Sequence, residues 1–216
     1  MTPAPESPFP PDPGPGPVGL FGGTFNPVHL GHLAIARDAL LLASLSSVWF
    51  LPCAVPPHKP LPHGITDAHR LAMLRLALAD DPAFRLCPVE FALPPPSYTL
   101  RTVEALQARY PSTQFVFIVG ADSLQQLHTW HRPLDLLARI PFLPLARPGF
   151  ALSPADIQLP APWPSRLLSA LCTASLVPAA SSAIRADLAA TRTSQLVPPA
   201  VLRYILDHSL YQEPDP

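Results

Sequence analysis

Charge is scarce in this chain: 14 Lys and Arg set against 15 Asp and Glu amount to 13% of 216 residues and leave a formal net charge of −1. So balanced a composition removes the simplest case for non-specific nucleic-acid binding or for docking on an anionic membrane. A local phosphate site is the place where an anion could still be held. Cysteine is scarcer. Cys53, Cys87 and Cys172 are odd in number, far apart and in no CxxC arrangement, the pattern of reduced, mostly buried thiols in a cytoplasmic protein. A long hydrophobic run is missing too, because the longest uncharged apolar stretch, Ala39 to Val55, contains Ser44, Ser46, Ser47 and Pro52 and falls short of the ~20 residues of a membrane helix. The start of the sequence has neither the basic region nor the apolar core of a secretory signal, so none is expected.

What the chain has in excess is proline, 33 in 216 residues, roughly three times average usage. Proline at that level, taken alone, suggests disorder, but a disordered chain also needs few apolar residues and a large net charge, and here 48% of residues are hydrophobic. The prolines are unevenly spread: 8 fall within residues 1–17, where fixed φ and missing N–H donors disfavour helix and central strand alike. That segment reads as a floppy extension. Residues 18–212 read as one folded domain.

Within the domain, short apolar runs alternate with helical periodicity. Strands are expected at Val18 to Phe21, Val48 to Leu51, Phe84 to Val89, Phe115 to Val119, Ile140 to Leu145 and Leu168 to Ala174, the fifth near a sheet edge because of Pro141 and Pro144. Helices are expected over His29 to Ala43, after the N-cap candidates Thr66 and Asp67, over Tyr98 to Tyr110, from Ser181 or Ser182, and near Pro198-Pro199. Residues 151–166 carry little signal. Strands alternating with helices imply βαβ units and an α/β, doubly wound parallel sheet, in which ligands sit outside the carboxyl ends of the strands.

The first loop after a strand is the most informative segment. Gly22 and Gly23 let backbone N–H groups approach an anion, and the helix that follows Thr24, Phe25, Asn26, Pro27 and Val28 adds an aligned dipole. His29 and His32 are three apart, so both imidazoles lie on one face of its first turn. Gly31 between them lowers helix propensity, a cost that makes sense where something must approach the backbone closely. Spacing alone leaves two ordinary surface histidines, or half of a metal site, as open readings. Further along, Ser181, Ser182 and Arg185 fit either a phosphate site or a capped amphipathic helix. Asp122 fits a ribose acceptor or an N-cap, Trp130 fits ring stacking or a core position, and Thr99 fits a ligand hydroxyl or a cap.

GGTFNPVHLGH resembles the GGTFDPVHxGH form of the motif that marks the nucleotidyltransferase superfamily. The segments Val55-Pro56-Pro57-His58-Lys59, Pro96-Ser97-Tyr98-Thr99, Gly120-Ala121-Asp122 with Trp130, Arg147-Pro148-Gly149 and Ser181-Ser182-Ala183-Ile184-Arg185 follow in the order seen in bacterial nicotinate-nucleotide adenylyltransferase. The resemblance covers Val18 to Tyr211. It implies a Rossmann-like sheet of the nucleotidyltransferase type and transfer of the adenylyl group of ATP to nicotinate mononucleotide, with magnesium carried on the triphosphate and no metal ligands from the protein. His32, His29 and Arg185 would be catalytic. Gly22, Gly23, Thr24, Phe25, Arg147, Ser181, Ser182 and Ile184 would join them around ATP, and Lys59, Thr99, Asp122, Trp130 and His131 would hold the mononucleotide. Neither nucleic acid nor membrane is implied as a partner.

Three positions depart from the family pattern: Asn26 for Asp, Ala183 for Thr and His131 for Tyr. Alternatives are transfer to nicotinamide mononucleotide, a non-catalytic nucleotide-binding module, or a metal site drawing on His29, His32, His58, His63 and His69. The last matches no standard ligand spacing.

Overall fold

The computed structural model describes residues 7–55, 65–146, 149–175, 177 and 179–212. The expected alternation is present in β1 (Val18–Gly23), α1 (Leu30–Leu42), β2 (Ser47–Pro52), α2 (Asp67–Leu78), β3 (Phe84–Leu86), α3 (Thr99–Arg109) and β4 (Phe115–Gly120). It continues through α4 (Ala121–Leu124), α5 (Pro133–Arg139), β5 (Phe142–Ala146), α6 (Trp163–Ser169), β6 (Cys172–Thr173), α7 (Ser181–Thr191) and α8 (Pro199–Asp207). All strand pairs are parallel, in the order β3-β2-β1-β4-β5-β6. The chain therefore winds outward from β1 to one edge, then returns beside β1 at β4 and winds to the other. Where the order reverses, the connections leave β1 and β4 on opposite faces and open a crevice at their carboxyl ends.

Because successive side chains of a strand point to opposite faces, the apolar strands feed two cores. Val18, Leu20, Trp49, Leu51, Phe115, Phe117 and Val119 face α3, α5 and α6. Phe21, Val48, Phe50, Ile118, Leu143 and Leu145 face α1, α2, α7 and α8. Both faces are covered, which is why these strands read as continuous apolar runs and not as alternations.

Several boundaries differ from the sequence expectation. β3 stops at Leu86, and the chain turns through Pro88 into a 3₁₀ turn at Val89–Ala92, since proline cannot supply a ladder donor. β5 does lie near the edge, one strand in, paired with β4 and with the two-residue β6. Proline is tolerated there for a geometric reason. The Ala146 carbonyl accepts from the Ala174 N–H at 2.9 Å, so Pro144, two residues back, also turns its missing donor toward β6, whose two residues pair only with Leu145 and Ala146. Leu168 belongs to α6, which shortens β6 to two residues. α5 was not anticipated; Pro133 opens it, after Arg132 in a left-handed conformation (φ 51°).

The extension set apart in the sequence as residues 1–17 is described from Ser7 onward and carries no strand or helix. It nevertheless has partners: Phe9 packs edge-on against Tyr110, whose hydroxyl donates to the Pro10 carbonyl, Arg85 Nη1 donates to the Pro11 carbonyl at 3.1 Å, and the Ser46 hydroxyl donates to the Pro17 carbonyl at 3.0 Å.

Candidate active site

β1 brings Gly22 and Gly23 to the carboxyl edge of the sheet beside β4, and the loop that follows is held by its carbonyls. The Thr24 carbonyl accepts from Arg70 Nη1 at 3.0 Å, the Asn26 carbonyl from Arg185 Nη1 at 2.7 Å, and the Pro27 carbonyl from the Ser181 hydroxyl at 3.4 Å. The buried Asn26 side chain accepts from the Tyr211 hydroxyl. At the turn, Phe25 takes a left-handed φ of 48°, a strained conformation for a residue with a bulky side chain. Its fully buried ring offsets that cost by packing on Phe21, Phe50 and His32. A side chain at Gly23 would meet the Phe25 ring at 3.0 Å.

α1 starts with a capping box made of two histidines. His29 Nδ1 accepts from the His32 N–H and His32 Nδ1 accepts from the His29 N–H, both at 3.3 Å, and the rings stack at 3.6 Å. With its Nδ1 used as an acceptor, the neutral His32 ring carries its proton on Nε2. Burial, then the nearby His29, hold the His32 imidazole well below its ordinary range, which keeps it neutral at pH 7. Gly31 explains how a second helix reaches this point. A Cβ there would lie 2.9 Å from Ala179 Cβ and 3.1 Å from the His29 ring, so only glycine lets the segment before α7 pack so closely.

α7 has Ala180 at its N-cap and no side-chain cap, with Ser181 and Ser182 in its first turn. Among the described residues no side chain caps it, and its first N–H groups and dipole, of the kind that suit an anion, lie beside the histidine pair and Arg185. Ile184 is fully buried in the core and its N–H bonds the Ala180 carbonyl at 3.0 Å, so its side chain faces away from this rim.

Next to the rim lies a cavity of about 640 Å³, bounded by Gly22, Gly23 and Thr24 on one side and by Thr99, Trp130 and His131 on the other. Phe21, which touches His32 at 6.1 Å between ring centroids, also lines it and joins the two regions. Trp130 stands perpendicular to Phe117 at 6.0 Å, and His131 stacks on Tyr98 at 4.1 Å, with the Arg101 guanidinium 5.0 Å over the Tyr98 ring. Thr99 opens α3 without capping it. Asp122 lies in the first turn of α4, exposed, with Oδ1 accepting from the Ser123 N–H at 3.0 Å. It does not line the cavity, although Gly120 and Ser123 on either side of it do.

The structure thus brings His29, His32, Ser181 and Arg185 together around the loop at Asn26, with Ser182 exposed in the same turn as Ser181, and Thr99, Trp130 and His131 around the cavity. Lys59 and Arg147 lie outside the described residues, as do His58 and His63. Two residues escaped the sequence reading. Arg70, fully buried, bonds Asp67 at 2.5 Å as well as the Thr24 carbonyl, and Glu90 lines the cavity. Each is a single charged residue in an unremarkable segment, and the only available signal was a charge on the buried face of a helix or turn. His69 is paired with the Tyr204 hydroxyl at 2.9 Å and stands edge-on to the His208 ring at 5.5 Å. Among the described residues, no group of three or more His, Cys, Asp or Glu is placed to hold a metal, and no helix is long and apolar enough to cross a membrane.

A cytidylyltransferase-like family model matches residues 20–187. A probable nicotinate-nucleotide adenylyltransferase of Salinibacter ruber is 39% identical over 201 residues, covering 92% of this chain and 99% of the relative. A nicotinate-nucleotide adenylyltransferase of Bacillus subtilis is 38% identical over 196 residues, covering 90% of this chain and 98% of the relative. Among solved structures, the Plasmodium falciparum nicotinic acid mononucleotide adenylyltransferase complexed with NaAD superposes with a TM-score of 0.69 at 17% identity, over 92% of this chain and 98% of that one. At that identity the likeness speaks for the fold alone.

Proposed function

The chain belongs to the cytidylyltransferase-like family and, within it, to the nicotinate-nucleotide adenylyltransferases, and on that premise we propose how its residues move the adenylyl group of ATP onto nicotinate mononucleotide. It is an enzyme of the nucleotidyltransferase class in NAD biosynthesis, and its substrates are nucleotides. In the reaction a phosphate oxygen of the mononucleotide attacks the α-phosphorus of ATP in line, the bond from that phosphorus to the bridging oxygen breaks, and deamido-NAD and pyrophosphate result.

The observation that carries the reading is the placement of a mutually capped histidine pair, with His32 neutral, and a helix N-terminus on one side of Phe21, with an aromatic cavity on the other. The nucleophile is already an anion at neutral pH, so no general base is required. Catalysis comes from positioning two anions that repel each other and from donors aimed at the α-phosphoryl oxygens. His32 supplies such a donor through Nε2–H, with His29 beside it holding its tautomer. Gly22, Gly23, Thr24 and Phe25 shape the adenylyl side, while Arg185 and the α7 N-terminus with Ser181 and Ser182 take the β- and γ-phosphates. Arg147, immediately after β5, is assigned to the ATP ribose or phosphates.

Trp130 stacks on the pyridine ring and Thr99 and His131 frame it, while Asp122 is assigned to a ribose hydroxyl and Lys59 to the mononucleotide phosphate. Magnesium carried on the triphosphate would offset charge on the phosphate oxygens beside Arg185 and the α7 N-terminus. The groups gathered at the rim are imidazoles, hydroxyls and a guanidinium, which suit phosphate better than a hard cation, in keeping with a metal that arrives on ATP. The test is a panel of mononucleotides with magnesium-ATP, following pyrophosphate release. Efficient use of nicotinate mononucleotide and weak use of nicotinamide mononucleotide is expected. Equal use of both would sink the specificity, and no turnover with either would sink the assignment.

A further inference from the structure

We propose that Glu90 is the positioning residue of the mononucleotide half of the cavity, joining the end of β2 to the turn that opens α3 from within the cavity wall. The inference rests on the reading of the cavity given above. Glu90 sits in the 3₁₀ turn after β3, is 9% exposed, and is the one acidic side chain among the described residues lining the cavity. Its Oε1 accepts from the Thr102 hydroxyl of α3 at 3.0 Å. Oε2 is buried without a hydrogen bond of full geometry.

The groups nearest that carboxyl come from two further segments. The Ser97 hydroxyl, the Cys53 thiol and the Ala54 N–H all interact with it. Ser97 Oγ also accepts from the Val55 N–H at 3.1 Å, so its own proton is free to turn toward Glu90. Donors from the end of β2, from the turn before Thr99 and from α3 thus converge on one side chain. A carboxyl that served packing alone could give way to an apolar residue of its size without loss. One that orders the cavity wall could not.

Charge gives the inference a signature. Burial pushes the Glu90 carboxyl up from its ordinary range, although Ser97, Thr102, the Ala54 N–H and Cys53 favour its ionised form. The folded chain then holds that proton more tightly than the unfolded chain, which favours the fold at acid pH and ceases to as pH rises through the raised value. The other titratable or charged groups around it are Cys53 and Cys87, pushed up to about 11 and about 12, the Arg70–Asp67 pair on α2, and His131 on the far wall. Ionisation of Glu90 places a negative charge in the wall that receives an anionic mononucleotide. Affinity for that substrate therefore falls as pH rises through the Glu90 transition, while affinity for ATP does not follow it.

The experiment measures KM for each substrate separately from about pH 5 to pH 9 on the full chain and on Glu90→Gln, Glu90→Ala and Thr102→Val. Glu90→Ala is expected to raise KM for nicotinate mononucleotide about tenfold, as loss of a buried hydrogen-bonded hub does, and to leave KM for ATP unchanged. Glu90→Gln should fall between, and should lose the rise in mononucleotide KM with pH. Titration of the substrate's own phosphate is common to parent and variants and cancels in the comparison. A merely structural role would lower the melting temperature of the variants without altering the pH profile. An unaltered profile in Glu90→Gln, or equal shifts in both KM values, overturns the proposal. Should Glu90→Ala fail to fold, Glu90→Gln and Thr102→Val carry the test. A parent enzyme that does not turn over nicotinate mononucleotide would defeat the reading of the cavity itself, a result distinct from a working parent with indifferent variants.

Discussion

Around Asn26 the polar groups are mostly engaged by the protein: three loop carbonyls meet Arg70, Arg185 and Ser181, and two imidazoles cap each other's backbone. The cavity wall a few residues away is held differently, by rings stacked on rings and by one buried carboxyl on which donors converge. The first region is rigid before any ligand arrives, which is what a site must be if fixed donors are to stabilise charge in a transition state. The second is a shaped recess, with aromatic walls and few polar contacts, suited to choosing a ring. On the proposed function, chemistry and selectivity fall on opposite sides of Phe21, and changes on the two sides should separate in kinetics.

The sharpest separation is expected from His32→Ala. Removing the Nε2–H donor should lower kcat by about 10²-fold, the effect of losing an oxyanion-hole donor, with little change in mononucleotide KM. A folded variant with unchanged kcat, measured by pyrophosphate release, would take His32 out of the mechanism. Trp130→Ala tests the other side, with mononucleotide KM rising about tenfold through lost ring stacking and kcat nearly preserved. A defect confined to ATP would reassign the cavity. Gly31→Ala probes the rigidity of the rim. Its Cβ forces Ala179 or the His29 ring to move from contacts of 2.9 and 3.1 Å, and overpacking of that kind costs ~1–3 kcal/mol in denaturant unfolding. A few-fold loss of kcat should accompany it, and a variant as stable and active as the parent would show that the approach of α7 to α1 is loose.

Legibility followed sequence distance. β1, the loop to His32 and α1 lie within 25 residues, from Val18 to Leu42, and glycine, histidine spacing and apolar periodicity located them before any coordinates. The start of α2 after Thr66 was equally plain, because a threonine ahead of a periodic segment is a local signal, and its hydroxyl does accept from the His69 N–H. β6 was overread, because an apolar run such as Leu168 to Ala174 suits the end of a buried helix as well as a strand, and only the sheet could divide it. The extension was read by composition as floppy, and composition says nothing of its contacts: Phe9 and Pro10 meet Tyr110, a partner some hundred residues away that no local pattern announces.

By itself, then, the sequence determined the alternating α/β order, the glycine-histidine loop and the family resemblance, because strand and helix periods and short motifs are local properties written within a few turns of chain. Only the tertiary structure decided that Arg70 holds the Thr24 carbonyl, that Arg185 reaches Asn26 across 159 residues, and that Glu90 meets Thr102 at the cavity wall. A lone buried charge carries no periodicity, and its meaning depends on which groups the fold brings within about 3 Å of it.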